Sequence, residues 1–180
     1  MDVIAQILSI ISCAGIIFSF QLKNNRHLFL VQTISAVCFG ISYLLLGAYD
    51  GFLINVIAFT NTFVLLNKKL KKPPILTAIC IGYIVVPLIS LLCFEKVWTT
   101  TLVITTIISF VIAISQIAYT IAMWKNNGKA IRTVRLFAVT PAWLAYNITV
   151  FSLGGIICES FNIISIIISF IGYGKDGFEK

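Results

Sequence analysis

Apolar residues run through this chain in long blocks separated by short polar breaks, seven blocks in all. They are Val3 to Leu22, Leu28 to Leu46, Phe52 to Leu66, Ile75 to Phe94, Thr99 to Trp124, Ile131 to Phe151 and Gly154 to Tyr173. Most approach the roughly 20 residues at which a helix rising 1.5 Å per residue crosses a hydrocarbon layer about 30 Å thick. The breaks read KNNRH, GAYDG, NKKLKKPP, FEKV, KNNGK and SLGG. Their charges, Asn, Gly and Pro end helices and make turns. The pattern predicts seven transmembrane helices in a single domain over residues 1–180, because no break is long enough to hold a second domain. The first block has neither a basic start nor a small-residue cleavage site, so it reads as a span rather than a signal peptide.

Composition agrees with the pattern. Hydrophobic residues make up 59% of the chain and charged residues 11%, against about 45–50% and about 25% in soluble domains. With a mean hydropathy of +1.04, the chain reads as an all-α integral membrane protein. Charge then predicts an orientation. Every second break is basic: Lys23 and Arg26; Lys68, Lys69, Lys71 and Lys72; Lys125, Lys129, Arg132 and Arg135; Lys175 and Lys180. Lys96 alone falls on the other side. By the positive-inside rule the N-terminus is expected outside and the C-terminus in the cytoplasm. The net charge of +7 follows from this bias, so no nucleic-acid partner is expected. The cluster NKKLKK suits anionic head groups but reads first as a topology signal.

The two halves share landmarks. FQLKNNR ends the first block and AMWKNNG the fifth; about twenty residues further on come ISYLLLGAYDG and LAYNITVFSLGG. Tyr43 thereby aligns with Tyr146, Gly51 with Gly155 after one inserted residue, and Asn55 with Glu159. The reading is two three-helix units, 1–67 and 99–174, joined by a linker helix over 73–95 that is opened by Pro73 and Pro74 and interrupted by Pro87. A linker that crosses the membrane keeps both units in the same orientation.

Three helices, a linker and three more helices resemble the architecture of the SWEET sugar facilitators. ISQIAYTIAMWKNN is similar to the motif of the wider PQ-loop group, with Ser115 in place of the proline; the matching position of the first block is Ser12-Cys13. AWLAYNITVFSLGGIICES looks like the YgjV-type family of small bacterial inner-membrane proteins, and the likeness extends along the chain. That resemblance implies the bacterial inner membrane as location and brings no settled activity with it.

Polar residues inside the blocks form stripes. At 100° per residue Glu159, Asn162, Ser165 and Ser169 share one face, as do Asn55, Asn61 and Thr62. Gln32, Ser35, Ser42 and Tyr43 align in the second block, and Thr105, Ser109, Gln116 and Thr120 in the fifth. Inward-facing stripes would enclose a hydrophilic passage with Asn55 opposite Glu159. The alternative is interhelical glue, worth about 0.6 kcal/mol per contact. Glu159 is the strongest candidate, because a carboxylate within the bilayer costs on the order of 2.5–3.5 kcal/mol. A tie to Tyr43 or to outer-loop backbone is its structural alternative. Trp143 and Tyr146, beside Pro141, are placed to stack on a ring or simply to pack. Asp50 is expected to be a solvated loop residue, and Arg135 to snorkel to the head groups, with contact to an anionic substrate as its alternative.

Enzymatic chemistry finds no footing. The single histidine, His27, lies beside Arg26, and the five cysteines lack CxxC spacing. No P-loop or GxGxxG occurs. The expectation is a facilitator or secondary transporter of a small polar solute, sugar-like or vitamin- or nucleoside-like. Asn55, Glu159, Tyr43, Tyr146, Trp143, Asn162 and Gln116 would line its site, with no cofactor and no metal. Its competitor is a non-transporting scaffold or accessory subunit, and homo-oligomerisation stays open.

Overall fold

The computed structural model describes residues 3–93 and 100–173. Phe94 and Thr99 of the expected block ends, and Lys96, Lys175 and Lys180 of the charge pattern, lie outside them. The described chain is helical: α1 Val3–Ser19, α2 Asn25–Leu45, α3 Tyr49–Leu66, α4 Pro73–Cys93, α5 Thr100–Trp124, α6 spanning 128–149, and α7 Leu153–Tyr173. A short 3-10 turn, Lys68–Leu70, precedes α4. Among the described residues, four helices are long and apolar enough to cross a membrane: α2, α3, α5 and α7. Val3–Ser19 and Pro73–Ile89 are shorter apolar stretches.

Helix ends depart from block ends because caps, not hydropathy, set them. The Asn24 side chain accepts the Arg26 amide at 2.8 Å and starts α2 three residues before the apolar block. Asn127 accepts the Ala130 amide at 3.0 Å and starts α6 likewise. Asn126 adopts φ of 53°, a conformation Asn tolerates better than most residues. The fourth block is not interrupted, since α4 continues through Pro87 to Cys93.

In α6 the residues Arg135–Val139 form a π-turn between α-helical stretches. Pro141 has no N–H for the ladder and its ring crowds the preceding turn. The Thr140 amide therefore reaches five residues back to the Arg135 carbonyl. This is a single-turn bulge of the kind often found at functional sites.

Packing inverts the pattern of a water-soluble protein. Outward surface is apolar: Ile7, Ile11, Phe18, Ile34, Ile107, Ile114, Phe137 and Ile171 are all more than half exposed. Inward surface carries polar groups, among them Ser12, Ser35, Ser42, Asn61, Ser109, Thr140, Asn162 and Ser169. Such an exterior is satisfied by lipid. Close approach is arranged locally. A Cβ on Gly154, at the start of α7, would collide with Ser9 of α1, and small residues of this kind let membrane helices meet backbone to backbone.

Cross-helix hydrogen bonds fix the directions. The Gly154 amide donates to Gln6 at 3.3 Å, and further along Gln21 donates to the Ser165 carbonyl and hydroxyl, each at 2.8 Å. Helices α1 and α7 therefore run the same way. So do α3 and α5: Ser109 donates to Asp50 at 2.8 Å and, about three to four turns on, the Trp124 indole donates to Asn61 at 2.8 Å.

Candidate functional site

Between α1, α2, α3, α4, α5, α6 and α7 lies a cavity whose free space for the centres of water molecules is about 60 Å³. At about 10–15 Å³ of such space per water it holds roughly four to six. Its wall is part aromatic and part polar. Phe39, Tyr43 and Trp143 form the aromatic side, with Tyr43 stacked on Trp143 at 5.6 Å and 18°. Gln32, Asn55, Asn61, Thr62 and Gln116 give the neutral polar groups. Arg135 and Glu159 give the charge.

Glu159 has a partner that the sequence pattern does not predict. Arg135, expected at the head groups, is 7% exposed and donates from Nη2 to Glu159 Oε1 at 2.8 Å. The two helices explain the meeting. Arg135 lies two turns in from the start of α6, while Glu159 lies nearly two turns in from the start of α7, and these starts are at opposite ends of the bundle. The two helices thus carry these residues inward from opposite ends, and their side chains meet across the remaining gap in depth. The second carboxylate oxygen accepts Asn162 Nδ2 at 3.0 Å, and the Tyr119 ring lies 5.9 Å from the guanidinium carbon. Tyr119 in turn exchanges hydrogen bonds with Gln32, donating to Oε1 at 3.1 Å and accepting from Nε2 at 3.0 Å. The mutual attraction of Arg135 and Glu159 and the Asn162 hydrogen bond offset part of the cost of burying the two charges, and either one alone would be far costlier.

Five of the seven expected site residues line the cavity: Asn55, Glu159, Tyr43, Trp143 and Gln116. Asn162 stands behind Glu159 as its hydrogen-bond donor. Tyr146 stands behind Tyr43 and Trp143, edge-on to both at 6.0 and 5.6 Å. Tyr119 and Tyr83 also line the cavity without having been singled out from the sequence, and so does Arg135, for which contact with a substrate is only the alternative to snorkelling. Asp50 is not solvated. It is 7% exposed in the first turn of α3, where unpaired helix amides favour a carboxylate, and it accepts the Ser109 hydroxyl at 2.8 Å.

The cavity lies between two bands of hydrogen bonds. At the end carrying Lys23 and Lys125, Asn25 donates to the Asn126 carbonyl and side-chain oxygen, each at 3.2 Å. The buried Arg132 closes over the carbonyls of the turn just beyond α1, donating to Phe20 at 3.2 Å and to Leu22 at 2.8 Å. At the opposite end Tyr43 donates to Asn147 at 2.7 Å, the Gly51 amide donates to Tyr146 at 3.0 Å, and Ser109 holds Asp50.

An apolar exterior, helices long enough to span a bilayer and a charged, polar interior define a helical membrane protein with an internal polar cavity. Comparison with known families places it more narrowly. Residues 3–176 match the family model Imp-YgjV, described as bacterial inner membrane protein, and the chain belongs to that family. No curated protein and no solved structure matches the chain.

Proposed function

We propose that this protein is a facilitator or secondary transporter that moves a small polar solute of no net charge across the bacterial inner membrane. It has no enzymatic role in this reading. Seven crossings form two like-oriented three-helix units, 1–67 and 99–174, around a linker helix over 73–95, as in SWEET-like and PQ-loop-like architecture. The N-terminus is outside and the C-terminus cytoplasmic. In support, α1 runs with α7 and α3 with α5. The paired turns that begin α2 and α6 touch through Asn25 and Asn126.

The observation that carries the reading is the cavity with one hydrogen-bonded band at each end. Alternating access requires each band to part while the other holds, so that a solute beside Arg135 and Glu159 meets one side at a time. A scaffold or accessory subunit is the second reading. It is favoured by neutral polar groups already engaged within the protein, such as Asn61 with Trp124.

The test uses a cysteine-free background carrying Asn25→Cys and Asn126→Cys, reconstituted into vesicles with a panel of sugars, nucleosides and amino acids. A transporter takes up a solute above empty vesicles, stops when the pair is oxidised and resumes on reduction. A scaffold takes up nothing in either state, and that outcome rejects transport.

A further inference from the structure

We infer that the solute is a zwitterion of the α-amino-acid class, held head to tail against the Arg135–Glu159 pair with its apolar side chain on the aromatic wall. The inference rests on the transport reading for what the bound solute does next, but the binding site stands on its own geometry.

The cavity wall leaves one strong donor unsatisfied. Most neutral polar groups on its wall are engaged inside the protein. Asn55 Nδ2 donates to the Gly51 carbonyl at 2.8 Å, Asn61 accepts the Trp124 indole, and Gln32 is committed to Tyr119. The Thr62 hydroxyl donates to the carbonyls of Ala58 and Phe59, each at 3.0 Å. Arg135 is different. A guanidinium carries five N–H donors in a rigid fork. Here one contact goes to Glu159, while Nε is buried without a partner. A buried donor in that state costs free energy that an incoming acceptor would recover. The acceptor that fits a fork is a carboxylate, bound through two parallel N–H···O contacts.

A carboxylate alone would add a net negative charge to a cavity that is neutral as it stands, and burying an uncompensated charge is strongly unfavourable. An ammonium group on the same ligand removes that objection. In an α-amino acid both charges hang from one carbon, a spacing close to the 2.8 Å between Arg135 and Glu159. Laid antiparallel to the pair, the ligand puts its carboxylate by Arg135 and its ammonium by Glu159, so that four charges alternate around a ring. Its side chain then projects towards Phe39, Tyr43 and Trp143. A sugar has no group that uses the charge separation of the wall, and a simple amine or acid uses only half of it.

The experiment measures binding and uptake with the full-length protein, using L-leucine as probe. Controls are isoamylamine, which is leucine without its carboxylate, 4-methylpentanoate, which lacks the ammonium, and glucose and uridine as uncharged solutes. Leucine is expected to raise the unfolding temperature at millimolar concentration, with at least tenfold weaker binding of either half-ligand. Arg135→Gln/Glu159→Gln, which removes both charges together, should stay folded and lose leucine binding. Binding of glucose or uridine with none of leucine overturns the zwitterion and leaves transport standing. Leucine binding without uptake supports the site and rejects transport. Unaltered leucine binding by the double variant overturns the inference, as does binding of neither class.

Discussion

The Gly51 amide donates to the Tyr146 hydroxyl at 3.0 Å, and a Cβ on Gly51 would lie 2.9 Å from the Tyr43 ring. Tyr43 and Tyr146, the two tyrosines aligned in the sequence reading, thus close on a single glycine. No other residue type fits between them without displacing a ring. Gly51→Ala should cost about 1–3 kcal/mol by overpacking, read as a lower unfolding temperature of the purified protein, and an unchanged temperature would show that the two rings give way.

The ion pair makes a prediction of non-additivity. Arg135→Gln or Glu159→Gln alone strands a buried charge and should cost about 3–5 kcal/mol, whereas replacing both should cost less than either. Thermal unfolding of the native protein, both single variants and the double variant completes the cycle, and additive losses would contradict a buried pair.

Arg132 is fully buried and gathers the carbonyls of Phe20, Leu22 and Gly128. Arg132→Met preserves much of the length and removes every donor, so the exit of α1 should loosen. The expected loss is about 1–3 kcal/mol, together with faster protease cleavage in the α1 to α2 turn; unchanged cleavage would mean that the turn is held by other contacts.

Orientation is tested by labelling single cysteines in a cysteine-free background. An impermeant reagent added outside intact cells should modify Tyr49→Cys, at the exposed start of α3, and should leave Lys69→Cys and Lys129→Cys unmodified until the membrane is opened. Labelling of Lys69→Cys from outside would reverse the assignment.

The class of the protein was legible because hydropathy is a property of whole blocks, and lipid reads whole blocks. Residue roles depend on partners that sequence spacing does not supply. Arg135 looked like a head-group residue because it lies two turns from a basic turn. What that reading lacked was the antiparallel neighbour whose Glu159 side chain comes within reach of the guanidinium. The signal was present all the same. Glu159 is the one acidic residue of the last block, and the block before it contains only basic charges; an acid within a membrane segment calls for a nearby base. Asp50 was misread because GAYDG has the composition of an open turn, yet α3 already starts at Tyr49 and carries the carboxylate inward to Ser109. The polar stripes came through better. Ser165, Ser169 and Asn162 are all buried with Glu159, since a helical period needs no knowledge of neighbours.

The bulge at Arg135–Val139 sets the angular phase of α6. A regular helix turns about 100° per residue, so the eight steps from Arg135 to Trp143 would leave the two side chains about 80° apart around the axis. The π-turn absorbs one residue and reduces the count to seven effective steps, leaving them only about 20° apart. Charge and aromatic ring therefore look into the same space because the helix slips by one position between them. If the bulge straightened, either Arg135 or Trp143 would rotate out of the cavity, so a shift of one residue within α6 would suffice to separate the ion pair from its aromatic wall.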